Sequence, residues 1–286
     1  MAAELIKGLP IAKEIRAEIS QEVEQLKAKG ISPKLAVLLV GDDEASRVYA
    51  QSKQKVGGNL GIEVMLEVMP GDTPEEKVLE CVQAWNADSG VHGILVELPL
   101  PKHISKEKVM EAIEPKKDVD GVHPVNRGYL LGGQEDRALV PATPLSCVAL
   151  MERAGIEIRG KRVTLVGRGD TVGRPLASLL IKRDATITVC HTKTVDLPGE
   201  CRRAEILVAA AGKAGLVTKD MVSPGTVVID AGINPTPDGQ GICGDVDPEV
   251  AEVAKAMTPV PGGVGSLTTT IIMQNLLKAI KLQGLA

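Results

Sequence analysis

The chain has 286 residues, enough for two domains or one large one, and a net charge of −4 that offers no basic surface to a nucleic acid. With no Phe, one Trp and two Tyr, it also has few aromatic platforms for stacking on single strands, so no nucleic-acid partner is expected. Five cysteines, at positions 81, 147, 190, 201 and 243, are dispersed without a CxxC pair, which points to free thiols in a reducing compartment rather than a disulfide frame or zinc site.

The N-terminal MAAELIKGLP lacks an apolar signal core and no apolar run approaches a membrane span, so a soluble, cytoplasmic protein without a membrane partner is expected. Pro10 to Gly30 reads as an amphipathic helix, with Ile11, Ile15, Ile19, Val23 and Leu26 near helical spacing. Leu35 to Val40 is a buried strand, Asp43 to Leu60 a helix, and Ile62 to Val68 the next strand. Thr73-Pro74-Glu75-Glu76 has the pattern of a capping box with proline at the first helical position, opening a helix to Ala87. Gly93 to Leu98 is a strand followed by Pro99-Leu100-Pro101, and Ser105 caps a short helix to Ile113. Asp118 to Asn126 and Gly128 to Gly133 read as a polar, glycine-rich connector, a candidate domain boundary. Pro141 to Pro144 then lead into an apolar helix, Leu145 to Ala154.

Next comes a strand, glycine turn and helix start within KRVTLVGRGDTVGRP, Lys161 to Pro175. Arg162 to Val166 is the strand; Gly167, Gly169 and Gly173 let the backbone turn sharply and approach a ligand, and the helix beyond offers free N–H groups to a phosphate. The spacing is GxGxxxG, which also arises for purely geometric reasons. A second strand, Ala185 to Cys190, completes a βαβ unit. It ends in Cys190-His191-Thr192-Lys193, with no acid for a ribose 2′-hydroxyl; Arg168, Thr192, Lys193 and Arg174 suit a 2′-phosphate instead, favouring NADP over NAD, or else form a solvated rim. Further strands read at Glu205 to Ala209 and Thr226 to Asp230, with a short strand or loop at Ile242 to Val246. Thr258 to Gly265 is a stiff loop before a final helix, Ser266 to Leu282. The fold class is α/β, with parallel sheet covered on both faces and ligands at the carboxyl ends of the strands.

Few residues look chemical on their own. Tyr49 and Lys53 share a helix face, as many solvated pairs do. Asp118 and Asp120 sit where turns need aspartate. Glu97 lies in an apolar strand, where a carboxylate needs a partner or a way to solvent. The four histidines lack metal-ligand spacing, so no metal is expected.

Taken in order, YAQSKQK (49–55), GILVELPLP (93–101), KDVDGVHPVN (117–126), PATP (141–144), GRGDTVGRP (167–175), CHTKT (190–194), GDVD (244–247) and TPVPGGVG (258–265) closely resemble the bifunctional methylenetetrahydrofolate dehydrogenase/methenyltetrahydrofolate cyclohydrolase family over essentially the whole chain. The resemblance implies a two-domain α/β homodimer of one-carbon metabolism and purine biosynthesis, acting on tetrahydrofolate derivatives. It implies a folate-binding catalytic domain over 1–140, completed by the C-terminal helix 266–286, and a Rossmann-type NADP-binding domain over 141–265. It makes Lys53 the catalytic lysine, Tyr49 the folate-stacking tyrosine and Asp120 the pterin anchor, with Glu97 beside the lysine. Leu98, Pro99, Pro261, Gly262 and Gly263 would line the folate site. Gly167, Arg168, Gly169, Thr171, Val172, Gly173, His191, Thr192, Gly212, Gly232, Ile233 and Thr270 would serve the cofactor.

The chain departs from the family's usual pattern at four places. Glu97 stands where glutamine is usual; a carboxylate there favours the charged lysine, which weakens hydrolysis unless Glu97 itself relays protons. Gly169 and Thr192 replace serines at the cofactor turn, and Ser266 replaces a proline. A dehydrogenase without hydrolysis, another two-domain NADP oxidoreductase and a non-catalytic NADP sensor are the other readings.

Overall fold

Strands and helices alternate through the computed structural model of the chain, which describes residues 2–286. In chain order come β1 (Glu4–Leu5), α1 (Gly8–Ala28), β2 (Lys34–Val40), α2 (Glu44–Asn59), β3 (Glu63–Met69), α3 (Glu75–Ala87) and β4 (Gly93–Val96). Then follow α4 (Lys106–Ala112), α5 (Pro124–Leu131), α6 (Ala142–Arg153), β5 (Arg162–Val166), α7 (Gly173–Lys182), β6 (Thr186–Cys190) and α8 (Leu197–Arg202). The chain closes with β7 (Ile206–Ala209), β8 (Val227–Asp230), β9 (Asn234–Pro235), β10 (Ile242–Cys243), β11 (Ala256–Met257) and α9 (Thr268–Leu282). No helix of the described residues is long and apolar enough to cross a membrane.

The chain divides into two units: one holds the residues up to Lys13 with Pro141–Thr268, the other Glu14–Val140 with Thr269–Ala286. The first contains a parallel sheet in the order β1-β11-β8-β7-β5-β6. Glu4 and Leu5 pair with Ala256 and Met257, so the N-terminal strand belongs to this unit and not to the 1–140 segment that the sequence groups together. Leu176, Leu179 and Leu180, all fully buried, recur at helical spacing on α7 and form its inner face.

The second unit holds the parallel sheet β3-β2-β4. Leu35 to Val40 of β2 are each at most 3% exposed, the continuous apolar run of a strand covered on both faces. Each such large side chain contributes about 1.5–3 kcal/mol by leaving water. Asn275 of α9 donates to the Val119 and Val140 carbonyls, both at 2.8 Å, and so ties the final helix into this unit.

Three local expectations are corrected. No capping box forms at α3: the helix starts one residue later than the pattern implies, with Pro74 rather than Thr73 as its N-cap and no side-chain bond there, while Glu75 accepts from Ser105 N at 2.6 Å and Lys108 Nζ at 2.7 Å. The connector at 118–133 is no domain boundary. It contains α5 and lies within the second unit, held by buried Asn126, which donates to the Pro115 carbonyl and Asp118 Oδ2 and accepts from Leu139 N. The strand before Pro99 ends at Val96, although Glu97 N still reaches the Leu38 carbonyl at 2.8 Å.

Candidate active site

The second unit gathers its reactive side chains on one small cavity of about 240 Å³, lined by Ser46, Tyr49 and Lys53 of α2, Leu95 and Val96 of β4, Glu97 and Leu98 just beyond it, Asp120, and Ile272 of α9. Asp43 fixes the start of α2: its Oδ2 accepts from Ser46 N at 2.8 Å and from Ser46 Oγ at 2.6 Å. From there the 3.6-residue period brings Ser46, Tyr49 and Lys53 to one face. Lys53 is therefore no surface lysine. It is 4% exposed, and its Nζ donates to Glu97 Oε1 at 2.7 Å, Glu97 being 8% exposed. The ammonium also lies 5.5 Å from the centroid of the Tyr49 ring, within cation–π range, while Tyr49 itself is 46% exposed and open to a ligand.

Asp120 is half-buried at the same cavity. Burial, and then the neighbouring charge of Asp118, push its carboxyl up to about 7, against the opposing pull of Lys53. Asp118 has the structural role in this loop. It is fully buried, and Oδ2 accepts from His123 N at 2.8 Å and Asn126 Nδ2 at 2.9 Å. Leu98 and Pro99 are joined by a cis peptide bond at the mouth of β4.

The other unit carries a site made mostly of backbone. β5 ends in Gly167 at φ +119°, where a Cβ would collide with the Ala210 carbonyl, and a Cβ on Gly173 would meet the Gly167 carbonyl. Gly169 has open space around it, and Arg168 and Thr171 are exposed, with Val172 half-buried at the start of α7. Such a cradle, closed to side chains and facing a helix N-terminus, fits a dinucleotide's phosphates. Arg174 is engaged with Asp170 at 2.6 Å, whereas Arg168 has no ion-pair partner among the described residues. His191 turns its Nδ1 to Lys193 N at 3.1 Å, which shapes the turn that exposes Thr192.

Two residues of this unit escaped the sequence reading as site residues. Asp245, fully buried, accepts from the backbone N–H groups of Ala211, Gly212 and Lys213 at 2.5, 2.9 and 2.8 Å and from Asn234 Nδ2 at 2.9 Å. Asp230, at the end of β8, accepts from Gly232 N, Asp245 N and Val246 N, and burial pushes its carboxyl up to about 6. The two carboxylates thus hold the turns bearing Gly212 and Gly232, leaving Ile233 51% exposed. The available signal was an aspartate closing an apolar strand, VVID, together with GDVD.

Pro261 and Gly262 are exposed after β11, with Gly263 buried behind them in the same turn. Thr270 belongs to the second unit, is fully buried, and accepts from Arg16 Nε at 2.8 Å. All five cysteines are free thiols, and burial pushes Cys147 and Cys201 up to about 12 and Cys81 up to about 11, which disqualifies these three as thiolate nucleophiles.

A glycine cradle for phosphates on one unit and a buried lysine–carboxylate pair on the other define a nucleotide-dependent α/β enzyme. Comparison with known proteins narrows the class. The catalytic-domain model of the tetrahydrofolate dehydrogenase/cyclohydrolase family matches residues 6–120, and that family's NAD(P)-binding-domain model matches 141–284. The chain is 60% identical over 285 residues to the bifunctional protein FolD of Heliobacterium modesticaldum, covering 99% of this chain and 98% of that one. The crystal structure of the bifunctional FolD methylenetetrahydrofolate dehydrogenase/cyclohydrolase from Campylobacter jejuni is 41% identical, with a TM-score of 0.95 over 99% of this chain and 100% of that one. The Trypanosoma brucei FolD, solved with NADP cofactor and an inhibitor, is 36% identical with a TM-score of 0.94 over the whole of both chains. This protein belongs to the tetrahydrofolate dehydrogenase/cyclohydrolase family.

Proposed function

We propose that the protein oxidises 5,10-methylenetetrahydrofolate to 5,10-methenyltetrahydrofolate with NADP and hydrolyses that cation to 10-formyltetrahydrofolate. The observation that carries this reading is the single cavity grouping Tyr49, Lys53, Glu97 and Asp120. The full-length similarity to bifunctional FolD proteins supports it.

The first reaction asks little of the protein. NADP, when bound, supplies the hydride acceptor, and the folate's own nitrogens stabilise the cation left behind, so positioning is the main requirement. Gly167, Gly169 and Gly173 with Thr171 and Val172 would hold the pyrophosphate, Arg168 and Thr192 the 2′-phosphate, and the turns of His191, Gly212, Gly232 and Ile233 the remainder. Tyr49 would stack on the folate, and Asp120 would bond its pterin edge. The second reaction needs proton transfers, and the Lys53–Glu97 pair is the group equipped for them.

A time course with 5,10-methylenetetrahydrofolate and NADP⁺ in non-nucleophilic buffer, following NADPH and methenyltetrahydrofolate separately against an enzyme-free control, tests the reading. NADPH should rise while the methenyl compound stays low. Accumulation of the methenyl compound would favour the dehydrogenase-only reading, which the Glu97 substitution motivates; absence of NADPH, with NAD⁺ tried as well, would overturn the assignment. Arg168→Ala should lower the preference for NADP over NAD, measured as the ratio of kcat/KM, by about ten-fold, as for a lost charge-assisted bond.

The working form is a cytoplasmic homodimer whose product feeds purine biosynthesis. Five free thiols suit a reducing compartment. β6 ends the six-stranded sheet with an unpaired outer edge and Val189 37% exposed, a template for a second copy. Light scattering at twice the 30.1 kDa chain mass is the expected result.

A further inference from the structure

Lys53 is held in a way that leaves it poorly suited to accept a proton. Its Nζ sits 2.7 Å from Glu97 Oε1, with both side chains less than a tenth exposed. An ammonium has three donors and no acceptor, so while the pair is ionised the carboxylate is the one member of it that can take up a proton. Glu97 has the complementary property. Oε1 is occupied by Lys53, Oε2 carries no hydrogen bond among the described residues, and the side chain lines the cavity. We propose that Glu97, not Lys53, is the proton acceptor of the hydrolytic step in this protein, and that Lys53 works as a fixed cation which orients and neutralises it. The proposal rests on the folate reading above.

Water adds its oxygen to the one-carbon bridge of the methenyl cation and gives one proton to Glu97. The adduct's hydroxyl then loses its remaining proton to solvent as the C=O bond forms. The bond to the pterin N5 breaks, its electron pair stays on nitrogen, and N5 takes the proton held by Glu97. The cation and one water leave as neutral 10-formyltetrahydrofolate and one proton.

The groups facing Glu97 are few. α2 contributes Lys53 and Tyr49, the loop after α4 contributes Asp120 with Asp118 behind it, and α9 contributes only Ile272. Lys106, at the start of α4, acts on Asp120 from farther away. Asp120, pushed up to about 7 by burial, is partly protonated near neutrality, and the protonated form cannot take the water's proton.

The test uses the full chain and 5,10-methenyltetrahydrofolate directly, following its loss without NADP against an enzyme-free control, across the acid-to-neutral range. Arginine keeps the charge but does not give up its proton, so Lys53→Arg should lose no more than about ten-fold in hydrolysis. Glu97→Gln should lose about 10²-fold or more at the acid end, with what remains rising with pH as Lys53 is freed to act as base. A loss of about 10²-fold or more in a Lys53→Arg protein that melts like the parent would overturn the proposal. So would a Glu97→Gln enzyme whose rate and pH profile match the parent's, or one that is faster. If Lys53→Arg fails to fold, the Glu97→Gln profile decides alone. NADPH formation from the methylene compound without enzyme-dependent hydrolysis would sink this inference and leave the dehydrogenase standing. No turnover of either folate would sink the reading beneath it.

Discussion

The two units build their sites from opposite materials. In the second unit the working groups are side-chain charges in direct contact, Lys53 with Glu97, beside a carboxyl that burial has raised. In the first they are backbone N–H groups and absent side chains, Gly167 and Gly173 being places where any Cβ would collide. Its buried carboxylates, Asp230 and Asp245, hold turns. A site of contacting charges is sensitive to the loss of one partner, whereas a site of backbone is sensitive to added atoms. The contrast makes separate predictions for each unit.

The largest effect should follow Lys53→Met, which strands Glu97 as a buried unpaired charge and should cost about 3–5 kcal/mol in denaturant unfolding. Adding Glu97→Leu should recover most of that loss, since the penalty belongs to the orphaned charge; a double-mutant cycle showing simple additivity would break the contrast. Next comes Gly167→Ala, which forces a side chain into φ +119° and against the Ala210 carbonyl. A stability loss of about 2–4 kcal/mol and weakened NADP binding by calorimetry are expected, with Lys53 and Glu97 undisturbed.

A smaller change is expected at Asp245, where asparagine would point an NH₂ at backbone donors that now have a carboxylate. About 1–3 kcal/mol should be lost, and KM for NADP should rise while the hydrolysis of added methenyltetrahydrofolate is spared. The last effect concerns pH. Asp230 titrates at about 6 in the fold against 3.8 for an ordinary aspartate, so between those values the folded protein holds a proton that the unfolded chain has released. Its contribution to stability is therefore present below about 4 and declines as pH rises through about 6. Melting curves of the parent should show this slope, and Asp230→Asn should flatten it.

Legibility in the sequence followed the range of the interactions involved. β5 and the glycine turn stood out because RVTLV and GRGDTVG act through neighbours along the chain. α5 did not: Pro124, Asn126 and Gly128 look like loop, and the helix is held by Asn126 reaching Pro115, Asp118 and Leu139. Thr73 to Glu76 had the pattern of a cap, but the helix starts one residue later, on Pro74, whose side chain cannot cap it. Lys53 is the sharpest case, because by helix spacing alone it reads as one more solvated lysine.

By itself the sequence determined the α/β alternation, the glycine-rich cradle and, through its ordered motifs, the family, because periodicity and turn chemistry are local. Only the tertiary structure decided that Lys53 and Glu97, 44 residues apart, are buried and 2.7 Å from each other, and that Glu4 and Leu5 pair with Ala256 and Met257. Burial and charge pairing depend on what the rest of the chain brings to a point in space, and that is set by packing rather than by spacing.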